Sequence, residues 1–415
     1  MQNNIFDEQI NNIQVNPGEK KDLLIYIHIP FCENKCKFCC WTADYPNQIL
    51  QDINNIQNQY VDALCKQIQY IGPRLMEWGY VPKYIYWGGG TPSKLSVKNF
   101  DQIINSLFNS FDLSRIEEHT FESHPSSIDD EKIHFLSSHG VNRISVGVQS
   151  FNNVDLKRLG RTHTAEDAIN TINILKKNGI NNYNIDLMFA YPEHKFEIWE
   201  STLKQALSLN PPHITTYFYR NMENTVFNML QKKGLYKTVP LKESFKMLSE
   251  AKKIFNNMGF SEMICGYFNR KPEYFFKSED YYYALEGDYI GFGCGANSTI
   301  LQHNLCNMLD SNSINRYLHS PISFDICKKY SPLNYNKYFS FIVLDQALST
   351  QSGINFKRFN SIFGFNFTES KINVKLIDIM KKYKMINETN EGIFIPKENR
   401  DAISISVILN ELHEA

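Results

Sequence analysis

The stretch Tyr26-Ile-His-Ile-Pro-Phe-Cys32-Glu-Asn-Lys-Cys36-Lys-Phe-Cys39 decides the fold. Its apolar first half reads as a strand, and Pro30 ends it. Three cysteines then fall on one short loop in the spacing Cys-x3-Cys-x2-Cys. Soft thiolates at that spacing suit three irons of a [4Fe–4S] cluster. A fully ligated cluster takes four thiolates, so this pattern leaves one iron open to a small molecule, as a catalytic zinc keeps one open position. An open iron points to chemistry more than to electron transfer or structure. A zinc knuckle or a disulfide pair is the plainer alternative. Zinc asks for a second Cys/His pair about 12–20 residues further on. After Cys40 the next cysteine is Cys65, alone in a helical pattern.

The rest of the chain bounds the possibilities. At 415 residues it exceeds one ordinary domain and can bury a large core. A net charge of −1, with no basic cluster, provides no field to recruit nucleic acid or an anionic membrane. No run has the length of a membrane span. Nine cysteines, four of them crowded on one loop, do not read as a secreted disulfide scaffold. The first residues carry neither a basic nor an apolar signal region. A reducing cytoplasm is therefore the expected location. The 23 Tyr and 29 Phe suit either an organic-ligand pocket or simply a large core.

Strand-like and helix-like patterns alternate from residue 23. Strands are predicted over 23–29, 84–87, 119–123, 143–148, 183–190 and 214–219, and helices over 60–71, 97–111, 129–139, 165–178 and 198–209. Successive βα units imply a parallel sheet, either curled into a partial barrel or open and doubly wound. The cluster loop and the other unusual motifs all follow strand ends, where barrels carry their sites, which favours a partial (β/α)6 barrel. After Met222 two helical segments follow, 223–234 and 242–258, then an aromatic stretch, 267–289. The run Gly291-Phe-Gly-Cys-Gly-Ala-Asn-Ser298 reads as a tight loop. From about Pro321 the pattern is a small α-rich appendage closing with a hairpin, 385–396, and a helix, 400–412, in a winged-helix-like order. The expected divisions are a lead-in 1–21, a barrel 22–222, an extension 223–320 completing the active site, and a C-terminal domain 321–415.

Several motifs in this order resemble the radical S-adenosylmethionine (SAM) superfamily, in its HemN-like branch. They are the cysteine loop, Trp87-Gly-Gly-Gly-Thr-Pro92, Phe121-Glu-Ser-His-Pro125, Gly147-Val-Gln-Ser-Phe151, Leu159-Gly-Arg-Thr-His163 and Asn184-Ile-Asp-Leu-Met-Phe-Ala-Tyr-Pro192. The resemblance is strong over residues 22–300 and weak in the tail. It implies that Cys32, Cys36 and Cys39 hold the cluster, whose open iron takes SAM. Reduction then splits SAM into methionine and a 5′-deoxyadenosyl radical. It also implies a set of SAM contacts. Tyr26 and Phe38 would lie beside SAM, with Phe38 at the adenine, and Gly88, Gly89, Gly90 and Thr91 at its methionyl amino group. Glu122 and Gln149 would also bind SAM, Arg161 would meet a carboxylate, and Asp186 the ribose. A reductant such as flavodoxin or ferredoxin and a small-molecule or carrier-bound substrate are implied as partners.

Members of this branch include an oxygen-independent coproporphyrinogen III oxidase, heme chaperones and C-methylases. The oxidase pattern adds a cysteine one residue beyond the third, whereas here Cys40 follows Cys39 directly and Trp41 comes next. The chaperones carry His-Asn-x-x-Tyr before the Gly-rich loop, and the matching stretch here is Glu279-Asp-Tyr-Tyr-Tyr283, without the histidine. By exclusion the expectation is a class C methylase-like enzyme. It would use a second SAM for C-methylation, methylene transfer or cyclopropanation of an sp2 carbon, with Gly291–Ser298 walling the second SAM or the substrate. The oxidase and the heme chaperone are the alternatives.

Overall fold

The computed structural model describes residues 20–40, 52–307, 313–333 and 346–401, together with residue 404. The lead-in before residue 20, Trp41 and nearly all of the helix expected at 400–412 lie outside the described residues.

Six strands alternate with helices as the periodicity predicts. They are β1 (Lys21–Ile29), β2 (Tyr80–Gly89), β3 (Glu118–Ser123), β4 (Arg143–Gln149), β5 (Tyr183–Phe189) and β6 (His213–Phe218). The intervening helices are α1 (Ile53–Glu77), α2 (Val97–Ser110), α3 (Asp130–Ser138), α4 (Asn153–Leu159), α5 (Ala165–Lys177) and α6 (Phe196–Ser208). Neighbouring strands pair in parallel from β1 through β6. Side-chain caps start several of the helices. Ser96 caps α2, Asp129 caps α3, and Thr164 with Asp167 forms a capping box on α5. Helix α4 escaped the sequence reading because a seven-residue helix carries too few turns for its periodicity to register.

Period-2 alternation sorts the strand residues onto two faces. One face is apolar and buried under the helices: Ile25 and Ile27 of β1, Trp87 of β2, Phe121 of β3, Val146 of β4 and Ile185 of β5 are all 0% exposed. The helices meet it with Leu64 and Ile68 of α1 and Phe100 and Ile103 of α2. The other face is polar and aromatic, with Tyr26, Tyr86, Glu122, Ser145, Asp186 and Tyr217; Tyr86 bonds to Glu122 and Ser145 to Asp186 across neighbouring strands. A sheet lined with such groups on its concave side surrounds an interior suited to a polar ligand rather than to a packed apolar core.

Beyond β6 come α7 (Val226–Lys232), α8 (Leu241–Asn257), β7 (Ser261–Ile264), β8 (Tyr267–Asn269) and α9 (Lys277–Tyr283). Then follow β9 (Asp288–Phe292), β10 (Asn297–Ile300), β11 (His303–Cys306), α10 (Ser313–His319) and β12 (Ile326–Lys329). Strand β9 pairs in parallel with β1, so the sheet gains a seventh parallel strand beside the first. The order is β12-β11-β10-β9-β1-β2-β3-β4-β5-β6-β8-β7, with β7 and β12 at the edges; the barrel is partial and does not close.

The Gly-rich run was expected to be a loop. It is instead the end of β9, a short turn and the start of β10. Glycine is required at 291 because a Cβ there would lie 2.3 Å from the carbonyl oxygen of Asn297. The run lies against the end of β1. Its Gly293 and Gly295 pack on His28, and Cys294 N donates to Tyr60 Oη at 3.0 Å.

A second core gathers Phe359 and Phe363 of α11 (Phe356–Phe363), Leu376 and Met380 of α12 (Lys371–Lys382), and Ile354 and Ile393. Ile354 and Ile393 pair across a small antiparallel sheet of β13 (Ile354–Asn355), β15 (Gly392–Phe394) and β14 (Asn387–Glu388). Helices followed by a hairpin match the winged-helix-like order expected of the tail.

Candidate active site

The loop after β1 is held from three sides. Gly90 N donates to Ile29 O at 2.8 Å, Lys37 N to Leu159 O at 2.9 Å, and Phe227 N to Lys37 O at 2.9 Å. The ends of β1, β2 and α4 and the start of α7 therefore meet at the cysteines. Phe31, 1% exposed, anchors the loop inward against Tyr60, with ring centroids 5.2 Å apart. Cys32, Cys36 and Cys39 are half-buried and line one cavity, whereas Cys40 is exposed and lies outside it.

Phe38, Gly90, Thr91, Gln149 and Arg161 line the same cavity. Cys32 Sγ lies 3.4 Å from Thr91 Oγ1. Arg161 reaches over the loop and places Nη1 3.5 Å from Cys36 Sγ, while Nη2 donates to Gly147 O and Nε has no acceptor although buried. Burial pushes the Cys32 thiol up to about 11, opposed by the Thr91 hydrogen bond. Such a thiol keeps its proton until a metal displaces it.

Among the described residues, no three His, Cys, Asp or Glu side chains converge on a single metal ion. That is the expected geometry, because in a cluster each thiolate meets a different iron and the sulfurs stay apart. A half-buried trio of thiols, a guanidinium with an unused donor and a glycine-walled approach fit an anionic iron–sulfur cluster and a carboxylate-bearing ligand.

The other sequence-predicted residues form a deeper tier. Tyr26 donates to or accepts from His28 Nδ1 at 3.0 Å, and Tyr86 donates to Glu122 Oε1 at 2.5 Å. Asp186 accepts from Ser145 at 2.9 Å and from Asn184 at 2.6 Å. Gly88 lies between these side chains; a Cβ there would come within 3.0–3.2 Å of Tyr86, Tyr26 and Glu122. Gly89 has φ +108° and lies against His28. Gln149 has φ +69° and accepts from Tyr217.

Sequence reading assigned no site role to Glu279, Arg143 or His124. Glu279 sits on α9, whose first turn Glu118 caps at Lys277 N and Ser278 N. Phe276, just before that helix, stacks on Tyr86 and lies 3.3 Å from the Arg143 guanidinium. Arg143 is fully buried, and its Nε and Nη1 have no acceptor. Nothing local marks Glu279 as interior; its neighbours come from β2, β3 and β8. His124 had a signal, since it follows Glu122 by two residues on the same face.

Burial pushes Glu122 up to about 7 and Glu279 up to about 8, with Asp186 also raising Glu122 and Glu122 also raising Glu279. The folded chain therefore keeps protons that the unfolded chain loses near the ordinary carboxyl value. The stability that these two carboxyls contribute should fall as pH rises from about 4.5 to about 8. Thermal melts of the metal-free protein should show Tm dropping between pH 7 and pH 8.5, above the range in which unfolding protonates the buried histidines, with a flatter curve for Glu279→Gln. Parallel curves for the two proteins would refute the assignment.

A three-cysteine loop on the C-terminal edge of a partial parallel barrel, beside a glycine strand end, defines an α/β protein of iron–sulfur chemistry. The family description "Radical SAM superfamily" matches residues 26–206. The heme chaperone HemW of Lactococcus lactis is 29% identical over 360 residues, spanning 85% of this chain and 90% of its own. HemW of Escherichia coli is 30% identical over 289 residues, 67% of this chain and 70% of its own. The structure of coproporphyrinogen III oxidase (HemN) from Escherichia coli aligns with 95% of this chain and 91% of its own at a TM-score of 0.73 and 20% identity, a likeness of fold. The chain belongs to the radical SAM superfamily, in its HemN-like family. That family implies a [4Fe–4S] cluster and SAM as cofactors. Among the described residues no helix is long and apolar enough to cross a membrane.

Proposed function

We propose that this chain is a radical SAM protein that handles a tetrapyrrole, of the heme-chaperone type. Cys32, Cys36 and Cys39 would hold the cluster, and Gly88–Thr91, Glu122, Gln149, Arg161 and Asp186 would hold SAM. The observation that carries the cofactor half is the single cavity that gathers the three thiols with Thr91, Gln149 and Arg161. The tetrapyrrole half rests on likeness to HemW over 90% of that relative's length.

When bound, the reduced cluster and SAM supply a carbon radical able to abstract hydrogen. The chain's own residues do the rest. Thr91 and Arg161 orient toward the loop thiols. Tyr86 and Glu122 form a hydrogen-bonded wall with the Tyr26 ring beside it, and Asp186 is held by two donors so that its remaining lone pairs face the interior. Glu279 stands where the chaperone motif has histidine, so any ligand role there passes to a carboxyl. Methylation with a second SAM, the first expectation, has less support, because the proteins similar in sequence are named heme chaperones and a coproporphyrinogen-III oxidase-like protein rather than methylases. An electron donor such as flavodoxin or ferredoxin remains the partner this chemistry requires.

Anaerobic reconstitution followed by two assays tests the reading. Hemin titration should shift the Soret band with stoichiometric capture. SAM with dithionite should release 5′-deoxyadenosine without S-adenosylhomocysteine. Absence of a Soret shift together with S-adenosylhomocysteine formation would restore the methylase. Decarboxylation of coproporphyrinogen would instead favour the oxidase.

A further inference from the structure

The histidine pair beside the cysteine cavity has a hydrogen-bond direction set from both ends. Ser126 N donates to His124 Nδ1 at 3.2 Å. A backbone N–H can only donate, so Nδ1 of His124 is an acceptor, the Ser126 hydroxyl 2.8 Å away turns its proton to the same Nδ1, and the ring's own proton sits on Nε2. At the other end His163 Nε2 lies 3.1 Å from Val148 O. A carbonyl can only accept, so His163 carries its proton on Nε2 and leaves Nδ1 to accept. His124 Nε2 and His163 Nδ1 face each other at 3.4 Å, with the rings edge to face and centroids 4.8 Å apart. One donor thus meets one acceptor at each step, with both rings neutral. Arg161 nearby and burial both disfavour a second proton on either ring.

The far end of this chain is a strained place. Gln149 has φ +69°, unusual for a residue with a side chain, and Ser150 N folds back onto Val148 O at 2.9 Å. The β4–β5 register shifts at this point. Such a turn persists only when its surroundings over-determine it. Two side chains from one segment do so, since Arg161 donates to Gly147 O and His163 to Val148 O.

We infer that His124 and His163 form a neutral imidazole strut, both as Nε2–H tautomers, that holds the Gln149 turn and thereby positions Arg161 against Cys36. His124 is a positioning residue in this arrangement, since both its nitrogens are used within the protein. The inference rests on the cluster reading for its functional consequence, though not for its geometry.

Two measurements test it. In metal-free protein labelled with 15N-histidine, two-bond 1H–15N correlations should show the Nε2–H pattern for both rings, unchanged from pH 6 to pH 8. Signals are assigned by their loss in the single variants. In reconstituted protein, His124→Leu should keep wild-type iron content yet bind SAM roughly tenfold more weakly, the scale of one charge-assisted hydrogen bond. SAM binding is read from the change in the cluster's EPR spectrum. His124→Asn, which retains an acceptor and a donor, should bind within about twofold of wild type. An Nδ1–H or rapidly exchanging ring would overturn the strut. So would wild-type SAM affinity in His124→Leu, or equal loss in the Asn variant. Should His124→Leu fail to take iron, the labelled metal-free protein decides alone. If the wild type takes no iron, the cluster reading fails while the tautomer result still stands or falls by itself.

Discussion

Cys36→Ala protein should leave anaerobic reconstitution with less than roughly a tenth of the wild-type iron and no deoxyadenosine formation, because two thiolates cannot hold an open cluster. Cys36 sits at the centre of the loop, between the Thr91-bonded Cys32 and the turn closed by Cys39 N on Cys36 O at 3.2 Å. It is also the sulfur that Arg161 approaches. The adjacent spare thiol does not rescue the variant. Cys40 is exposed and lies outside the cavity. Cys40→Ala should accordingly keep its iron. Normal iron in Cys36→Ala, or loss of iron in Cys40→Ala, would mean that the loop is read in the wrong register.

Gly90→Ala should take up iron but cleave SAM on the order of 100-fold more slowly, the scale of a misplacement near 1 Å. A Cβ at Gly90 would lie 2.8 Å from the Pro30 carbonyl carbon, 2.8 Å from Phe31 O and 2.9 Å from Pro30 O. All three contacts are backbone, so no side chain can swing away. The strand end and the cysteine loop, joined by Gly90 N to Ile29 O, must move apart. The cost in stability should be about 1–3 kcal/mol, as for overpacking elsewhere. Gly140→Ala serves as the control. It has φ +87° but nothing within 4 Å of the added carbon, so it should cost only backbone strain and leave SAM cleavage unchanged. Iron content, thermal melts and deoxyadenosine release on the three proteins separate these effects. Wild-type cleavage by Gly90→Ala would remove the close approach from the account of the site.

Much of this architecture was legible because it is local. Strand β1 and the cysteine loop follow from an apolar run, a proline and thiol spacing within fourteen residues. The six strand–helix units follow from period-2 and 3.6 patterns that do not depend on distant residues. The seventh parallel strand was not legible. Its glycines read as a turn, and only the close approach to Asn297 and pairing with β1, more than 250 residues away, make it a strand. Glu279 was hidden for the same reason, since its helix is capped by Glu118 from a distant strand.

What the sequence by itself determined is the donor set, because the spacing of Cys32, Cys36 and Cys39 on one loop is a short-range property. Only the tertiary structure decided how those donors are poised. Desolvation and Coulomb interaction depend on distance in space, not along the chain. They place Arg161 on Cys36, hold protons on Glu122 and Glu279, and set the tautomers of His124 and His163.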